Sequence, residues 1–386
     1  MLLTYHKTVE SLKIKDYPKD FKISWSYLAD QFKDIDEILQ SFRVFIPTGD
    51  FTLGKPLQEF ESKFAQKMGT KYALGVASGT DAIKLSLKAQ GIGHGDEVIT
   101  TANTFIATVG AINEIGAVPV FVDCTDNFCI DESQIESKIT PKTKAIVAVH
   151  LTGQMSDMPT IMKIAEKHNL IVVEDACQAM FAEINGQKSG TFASTGCFSL
   201  HPLKAVNVWG DGGVIVTNDD ILYKKLSQLR NHGLSNRDEI EVLGYNSRLD
   251  TLQALVGNWL IKDSDFITKK RIENATILDK GLSQISGIKI PARFSNRKLV
   301  FHLYIVFAEN RDELYHHCIS KGVEVKVHYP IPLYLQNGLK FLGYKEGDFP
   351  VSDRHAQTMI SFPMHQHHTA DQMNYIVKTV REFYER

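Results

Sequence analysis

The chain has 386 residues, 43% of them hydrophobic and 23% charged, with a formal net charge of −2 at pH 7. That is enough apolar material for a large core, in one big domain or in a large domain plus a small one, and it excludes disorder and collagen-like structure. No apolar run approaches the roughly 20 residues of a membrane-spanning helix, charges interrupt the N-terminus where a signal peptide would be apolar, and no Lys/Arg block offers a nucleic-acid footprint.

These features point to a cytoplasmic protein with small-molecule partners, no membrane and no nucleic acid. The five cysteines, Cys124, Cys129, Cys177, Cys197 and Cys318, are odd in number, widely spaced and without a CxxC pair. Reduced, mostly buried thiols fit that pattern better than a disulfide framework or a zinc site.

Residues 1–23 are polar and lysine-rich and read as an N-terminal extension without chemistry. Residues 24–264 read as a large α/β domain. From Lys71 to Asn218, short apolar runs such as 145–149 and 171–173 alternate with amphipathic stretches such as Met158 to His168. Runs apolar on both faces suit strands covered on both sides, as in a mostly parallel sheet. A helix is predicted from Asp81 to Gln90, with Ile83 and Leu87 on one face and Lys84 and Lys88 on another. Residues 265–386 read as a smaller α+β domain: a helix from Phe266 to Leu282, strand-like pieces at 299–307 and 323–327, and a last helix from Ala370 to Tyr384.

Ligands of open α/β sheets bind beyond the carboxyl ends of the strands, so polar residues there are the first candidates. Ser78-Gly79-Thr80-Asp81 turns a strand into a helix, where free N–H groups and the helix dipole attract an anion such as phosphate. By itself the tripeptide is also an ordinary helix cap by Thr80. Asp175 ends the strand 171–173, and a carboxylate there suits the protonated nitrogen of a heteroaromatic ring. Lys204 lies between apolar runs, in a stretch with Ser, His, Pro and Gly. Desolvation lowers a lysine pKa, and the neutral amine is the form that condenses with an aldehyde. Each signal is weak alone, but their order is meaningful: phosphate cradle, ring-nitrogen carboxylate, reactive lysine. His365-Gln366-His367-His368 raises a metal reading, but no carboxylate pair is near it. It reads as a polar loop leading into the last helix.

With these residues in place, the sequence resembles the DegT/StrS type of sugar aminotransferase, a family of fold type I pyridoxal-phosphate enzymes. The matching stretches include Gly54 to Glu61, Ala77 to Ala82, Gly95 to Ile99, Thr104 to Thr108, Gly116 to Asp123, Val149 to Gly153, Glu174 to Ala179 and Gly244 to Asp250. The resemblance implies a large domain with a mostly parallel central sheet, a smaller C-terminal domain, and pyridoxal 5′-phosphate as cofactor. Lys204 would carry the cofactor and move the substrate proton. Asp175 would pair with the ring nitrogen, Gln178 with the phenolic oxygen, and Phe105 would stack on the ring. Gly79, Thr80, the Asp81 N–H and Ser199 would bind the phosphate, and Asn231 would reach the phosphate of a second subunit, which requires a homodimer. Tyr245, Asn246, Arg248, His328 and Tyr329 would form the substrate pocket. Thr152 and Leu200 depart from the bulky and aromatic residues common in the family at those positions.

The implied reaction moves an amino group from an amino acid, L-glutamate first, to a keto sugar, foremost a nucleotide-linked keto-hexose. Acceptors of the sugar-phosphate or cyclitol kind are the alternative, toward which His201 to Trp209 leans. A dehydratase of the same fold carries histidine in place of the lysine, and Lys204 argues against it. A non-catalytic regulator would not need Asp175, Gln178 and Lys204 together.

Overall fold

The computed structural model describes residues 2–14 and 17–385. Its centre is a seven-stranded sheet in the order Tyr72–Val76, Gly213–Thr217, Thr195–Ser199, Ile171–Asp175, Thr143–Val149, Glu97–Thr101, Val118–Val122. Gly213–Thr217 runs antiparallel to both neighbours, and the remaining strands share one direction. Most of these strands are buried on both faces, which explains their nearly unbroken runs of Val, Ile and Ala.

Helices cover the sheet through apolar stripes of helical spacing. Lys55–Met68 buries Leu57, Phe60, Phe64 and Met68 and stops at Gly69, which takes the left-handed conformation at φ 76°. Met158–His168 begins where Asp157 accepts the Thr160 N–H and stops at Asn169 with φ 53°. The helix predicted from Asp81 starts earlier, at Gly79, and is capped by the Ser78 hydroxyl rather than by Thr80. Lys84 does not lie on a solvated face: it is 6% exposed and pairs with Asp81 at 2.6 Å and Glu114 at 3.0 Å.

The C-terminal part packs helices Ser264–Leu282, Arg311–Ser320 and Ala370–Tyr384 around a three-stranded antiparallel sheet of Ile288–Lys289, Tyr304–Ala308 and Met359–Phe362. The last helix opens with a capping box between Thr369 and Gln372. The expected strand at 323–327 does not form. Only isolated bridges exist there, Val323 with Ile23 and Lys326 with Ser361. In the segment read as an extension, Leu2–Ser11 is helical and Tyr5 is buried; positions 1, 15 and 16 lie outside the described residues. Among the described residues no helix is long and apolar enough to cross a membrane.

Candidate active site

The shared strand direction brings the ends of Tyr72–Val76, Ile171–Asp175 and Thr195–Ser199 to one edge of the sheet. A cavity of about 320 Å³ opens there against the C-terminal part, within the size range of small-molecule sites. It is lined by Gly79, Thr80, Phe105, Asp175, Gln178, Ser199, Lys204, His328 and Tyr329, which sequence analysis had singled out.

At the first of these strand ends the chain turns into the helix Gly79–Ala89, whose leading N–H groups have no helical acceptor. The Asp81 N–H is taken by Ser78 Oγ at 3.1 Å, which leaves those of Gly79 and Thr80 for a ligand. Gly79 is required by close approach: a Cβ there would come within 2.9 Å of both Cys177 Sγ and Ser199 Cβ. Gly213 is tighter still, since a Cβ would meet the Ser78 carbonyl oxygen at 2.3 Å. Two backbones and Ser199 therefore converge into a cradle that larger residues would fill.

Asp175 is 6% exposed and held from two sides, accepting from Thr108 Oγ1 at 2.7 Å and from the Cys177 N–H at 3.2 Å. The neighbouring Glu174 faces the other way and is fully buried. It accepts from His150 Nε2 at 2.9 Å and from the N–H groups of Gly190, Phe192 and Ala193 at 2.7, 2.7 and 2.9 Å. Alternation along the strand thus gives one carboxylate to the cavity and one to the scaffold.

Lys204 is half-buried in the cavity. Burial pulls its pKa down, opposed by Cys177 and Asp175. Its carbonyl oxygen accepts from Tyr27 Oη at 3.0 Å and from Asn207 Nδ2 at 2.8 Å, which pins the backbone beneath the amine. Gln178 Oε1 accepts the Thr152 N–H at 2.9 Å. Phe105, 52% exposed, lies with its ring 6.2 Å from that of Tyr329. Burial, with Lys326 and Lys204 nearby, holds His328 at about 4, so the ring is neutral, and its Nδ1 is 2.8 Å from Ser361 Oγ. Burial and Asp175 push Tyr329 up to about 12, which keeps the phenol protonated.

Asn231, Tyr245, Asn246 and Arg248 form a second group outside this cavity. Arg248 Nη1 donates to Asn231 Oδ1 at 3.0 Å, Asn231 bridges Asn246, and the Tyr245 ring receives Lys84 Nζ at 4.6 Å.

The opposite wall, made by Trp25, Tyr27, Arg271, His302 and His365, lies outside the residues expected from the sequence. Trp25 packs its ring 5.3 Å from that of His328, and nothing in its local sequence marks it. Arg271 did carry a signal. It stands among Ile267, Asn274, Leu278 and Leu282 on the buried face of the helix, where a charge is out of place. The run 365–368, read as a polar loop, is buried except at His367, with His365 and His368 each 3% exposed and their rings stacked at 3.5 Å.

The profile of the DegT/DnrJ/EryC1/StrS aminotransferase family matches residues 33–381. A "pleiotropic regulatory protein" of Geobacillus stearothermophilus is 41% identical over 91% of this chain and 93% of its own length. A dTDP-3-amino-3,4,6-trideoxy-alpha-D-glucose transaminase of Streptomyces venezuelae is 37% identical over 88% of this chain and 90% of its own. Among solved structures, S. venezuelae DesV in complex with a ketimine intermediate superposes with a TM-score of 0.92 at 35% identity, over 94% of this chain and 99% of that one. NtdA of Bacillus subtilis with bound cofactor PMP gives 0.86 at 28% identity, over 100% of this chain and 92% of that one.

Proposed function

The chain belongs to the DegT/DnrJ/EryC1/StrS aminotransferase family, and from that premise we propose that it moves an amino group from L-glutamate to a nucleotide-linked keto-hexose. It is a pyridoxal-phosphate-dependent sugar aminotransferase. The observation that carries the assignment of residues is the meeting of the Lys204 amine, the Asp175 carboxylate and the Gly79–Ser199 cradle in one cavity. The cradle supports a phosphate, the buried carboxylate supports a protonated ring nitrogen, and the lysine supports an aldehyde partner, so these residues fit the cofactor.

Bound there, pyridoxal phosphate supplies an electron-withdrawing ring that lets an amino acid release its α-proton. The protein's part is positional and electrostatic. Asp175 holds a proton at the ring nitrogen, and Thr108 and the Cys177 N–H keep its carboxylate from turning away. The Gly79 and Thr80 N–H groups and the Ser199 hydroxyl would hold the phosphate, Gln178 would serve the phenolic oxygen, and Phe105 would supply an aromatic face for the ring. The Lys204 amine is made more available as a base by burial, and Tyr27 and Asn207 fix its backbone while it shuttles the proton.

Asn231, Tyr245, Asn246 and Arg248 serve the cavity of a second copy in a homodimer. Their position outside this chain's own cavity supports that role, as do the nearby exposed Ile240 and Leu243, 66% and 86% accessible. The cytoplasm is the compartment proposed. A purely regulatory role, suggested by the name of the Geobacillus relative, is disfavoured by the convergence of Asp175 and Lys204 on one cavity.

Protein loaded with pyridoxal phosphate is expected to show a visible absorption band that Lys204→Ala lacks, and L-glutamate is expected to discharge it. A wild-type protein without a lysine-dependent band would refute the assignment of Lys204. A band that glutamate leaves untouched would refute the donor.

A further inference from the structure

Arg271, on the helix Ser264–Leu282, is 3% exposed and lines the same cavity as Lys204. Its Nε donates to Gln366 Oε1 at 3.1 Å, and its Nη1 donates to the carbonyl oxygens of Phe301, His302 and Met364 at 3.1, 3.4 and 3.4 Å. Every one of these acceptors is neutral. Among the described residues no carboxylate forms an ion pair with this guanidinium, and the neighbour that acts on its charge is Tyr27. Buried charges are ordinarily paired, because a low-dielectric interior penalises a lone one.

His365 stands on the same wall, its ring 5.2 Å from that of Tyr27, whose centre lies 5.4 Å from the Arg271 guanidinium carbon. The His367 N–H donates to His365 Nδ1 at 3.3 Å, so the imidazole hydrogen sits on Nε2. That nitrogen is buried, pairs with no side chain, and has only the Ser24 backbone near enough to act on it. Burial, with His368 and Arg271 beside it and only the Ser24 backbone acting the other way, holds the ring neutral, at about 2. Both residues line the cavity, and neither the Arg271 cation nor the His365 ring beside it is met by an anion among the described residues.

We infer that Arg271 and His365 form the subsite that receives a carboxylate of the amino-acid donor. This rests on the aminotransferase reading, since the amino donor is the reactant that always carries a carboxylate. Tyr27 links the subsite to the chemistry: its ring packs against both residues, and its hydroxyl bonds the Lys204 carbonyl. A carboxylate seated on Arg271 thus lies one side chain from the lysine.

The test titrates cofactor-loaded wild type, Arg271→Lys, Arg271→Gln and His365→Phe with glutarate, a dicarboxylate without an amino group, by calorimetry. Discharge of the visible band by L-glutamate is followed in parallel. Arg271→Gln is expected to weaken glutarate binding and raise half-saturating glutamate by about 10–100-fold, with cofactor affinity unchanged. Arg271→Lys is expected to lie between it and wild type. Equal glutarate affinity in wild type and Arg271→Gln overturns the inference. If glutamate discharges the band equally in both, the subsite fails and the aminotransferase reading stands. If glutarate binding depends on Arg271 but glutamate never discharges the band, the carboxylate site stands and the donor reading falls. Should Arg271→Gln not fold, glutarate soaked into wild-type crystals decides: a carboxylate on Arg271 upholds the subsite, and any other seat overturns it.

Discussion

Thr108 Oγ1 donates to Asp175 Oδ2 at 2.7 Å, joining a residue of the helix Ile106–Glu114 to the end of a strand 67 positions away. The bond sets the plane of the carboxylate proposed to hold a proton on the cofactor ring. Thr108→Val keeps the shape and removes the donor. A hydrogen bond to a charged group is worth about 1.5–3 kcal/mol, so kcat is expected to fall roughly 10–100-fold with little change in sugar KM. Thr108→Ser should restore most of the rate in steady-state assays. An unchanged kcat in the valine variant would remove Thr108 from the site.

Lys204 makes the stability of the cofactor-free protein depend on pH. Its folded pKa lies below the ordinary 10.5, so between that lowered value and 10.5 the unfolded chain binds a proton that the folded one has released. Stability therefore rises as pH climbs through this window. Lys204→Met removes the effect. At pH 7 the cofactor-free methionine variant is expected to melt higher than wild type, and the gap should close as pH approaches 10.5. Calorimetric melting of both proteins at pH 7, 8.5 and 10 reads this directly, and a gap that does not vary with pH would show that Lys204 is not desolvated. The same variant should lose at least about 10²–10⁴-fold in transamination rate, since it lacks the acid-base group.

Glu174 behaves oppositely to its neighbour. With four donors on a fully buried carboxylate, it organises the turn 189–193 and the His150 ring. Glu174→Gln turns one oxygen into an amide that faces donors, leaving buried hydrogens unpaired. The expected cost is on the order of 3 kcal/mol of stability, read by denaturant unfolding. Protein that survives folding should retain its lysine-dependent band, because the residue does not touch the cavity. Loss of the band without loss of stability would make Glu174 part of the chemistry.

The half of the site that was legible in the sequence is the half built locally. A strand followed at once by small residues and a helix, a carboxylate at a strand end, and a lysine among Ser, His and Pro each announce themselves within about ten residues, because the parallel sheet forces its carboxyl ends together. The other wall is assembled from positions far apart. Tyr27 reaches the Lys204 carbonyl across 177 residues, and Gln366 Nε2 bonds Gln31 Oε1 across 335. Such contacts leave no periodic trace. The residues 323–327 show the same limit in the fold: their composition is that of a strand, but their partners, Ile23 and Ser361, are far away in sequence and meet them at single positions only, which local pattern cannot see. His365 failed for a different reason, since histidine is polar enough to read as surface while a neutral imidazole buries readily.

Gly79 offers the sharpest test of the cradle, because its consequences for the helix and for the cofactor differ. Alanine is the better helix former, by about 0.5–1 kcal/mol in a helix interior and by less at a first position such as Gly79, so the helix Gly79–Ala89 by itself would not lose from Gly79→Ala. The added methyl, however, would sit 2.9 Å from Cys177 Sγ and from Ser199 Cβ, pushing the strand-end loops apart where the phosphate is proposed to lie. Pyridoxal-phosphate affinity is expected to fall at least about tenfold, or 1.4 kcal/mol, while the melting temperature of the cofactor-free protein changes little. Cys177→Ala removes one of the two contacts, and the double variant should recover part of the affinity. If Gly79→Ala binds the cofactor as tightly as wild type, the phosphate does not occupy the turn between Ser78 and Thr80, and the proposed orientation of the ring over Asp175 would have to be abandoned with it.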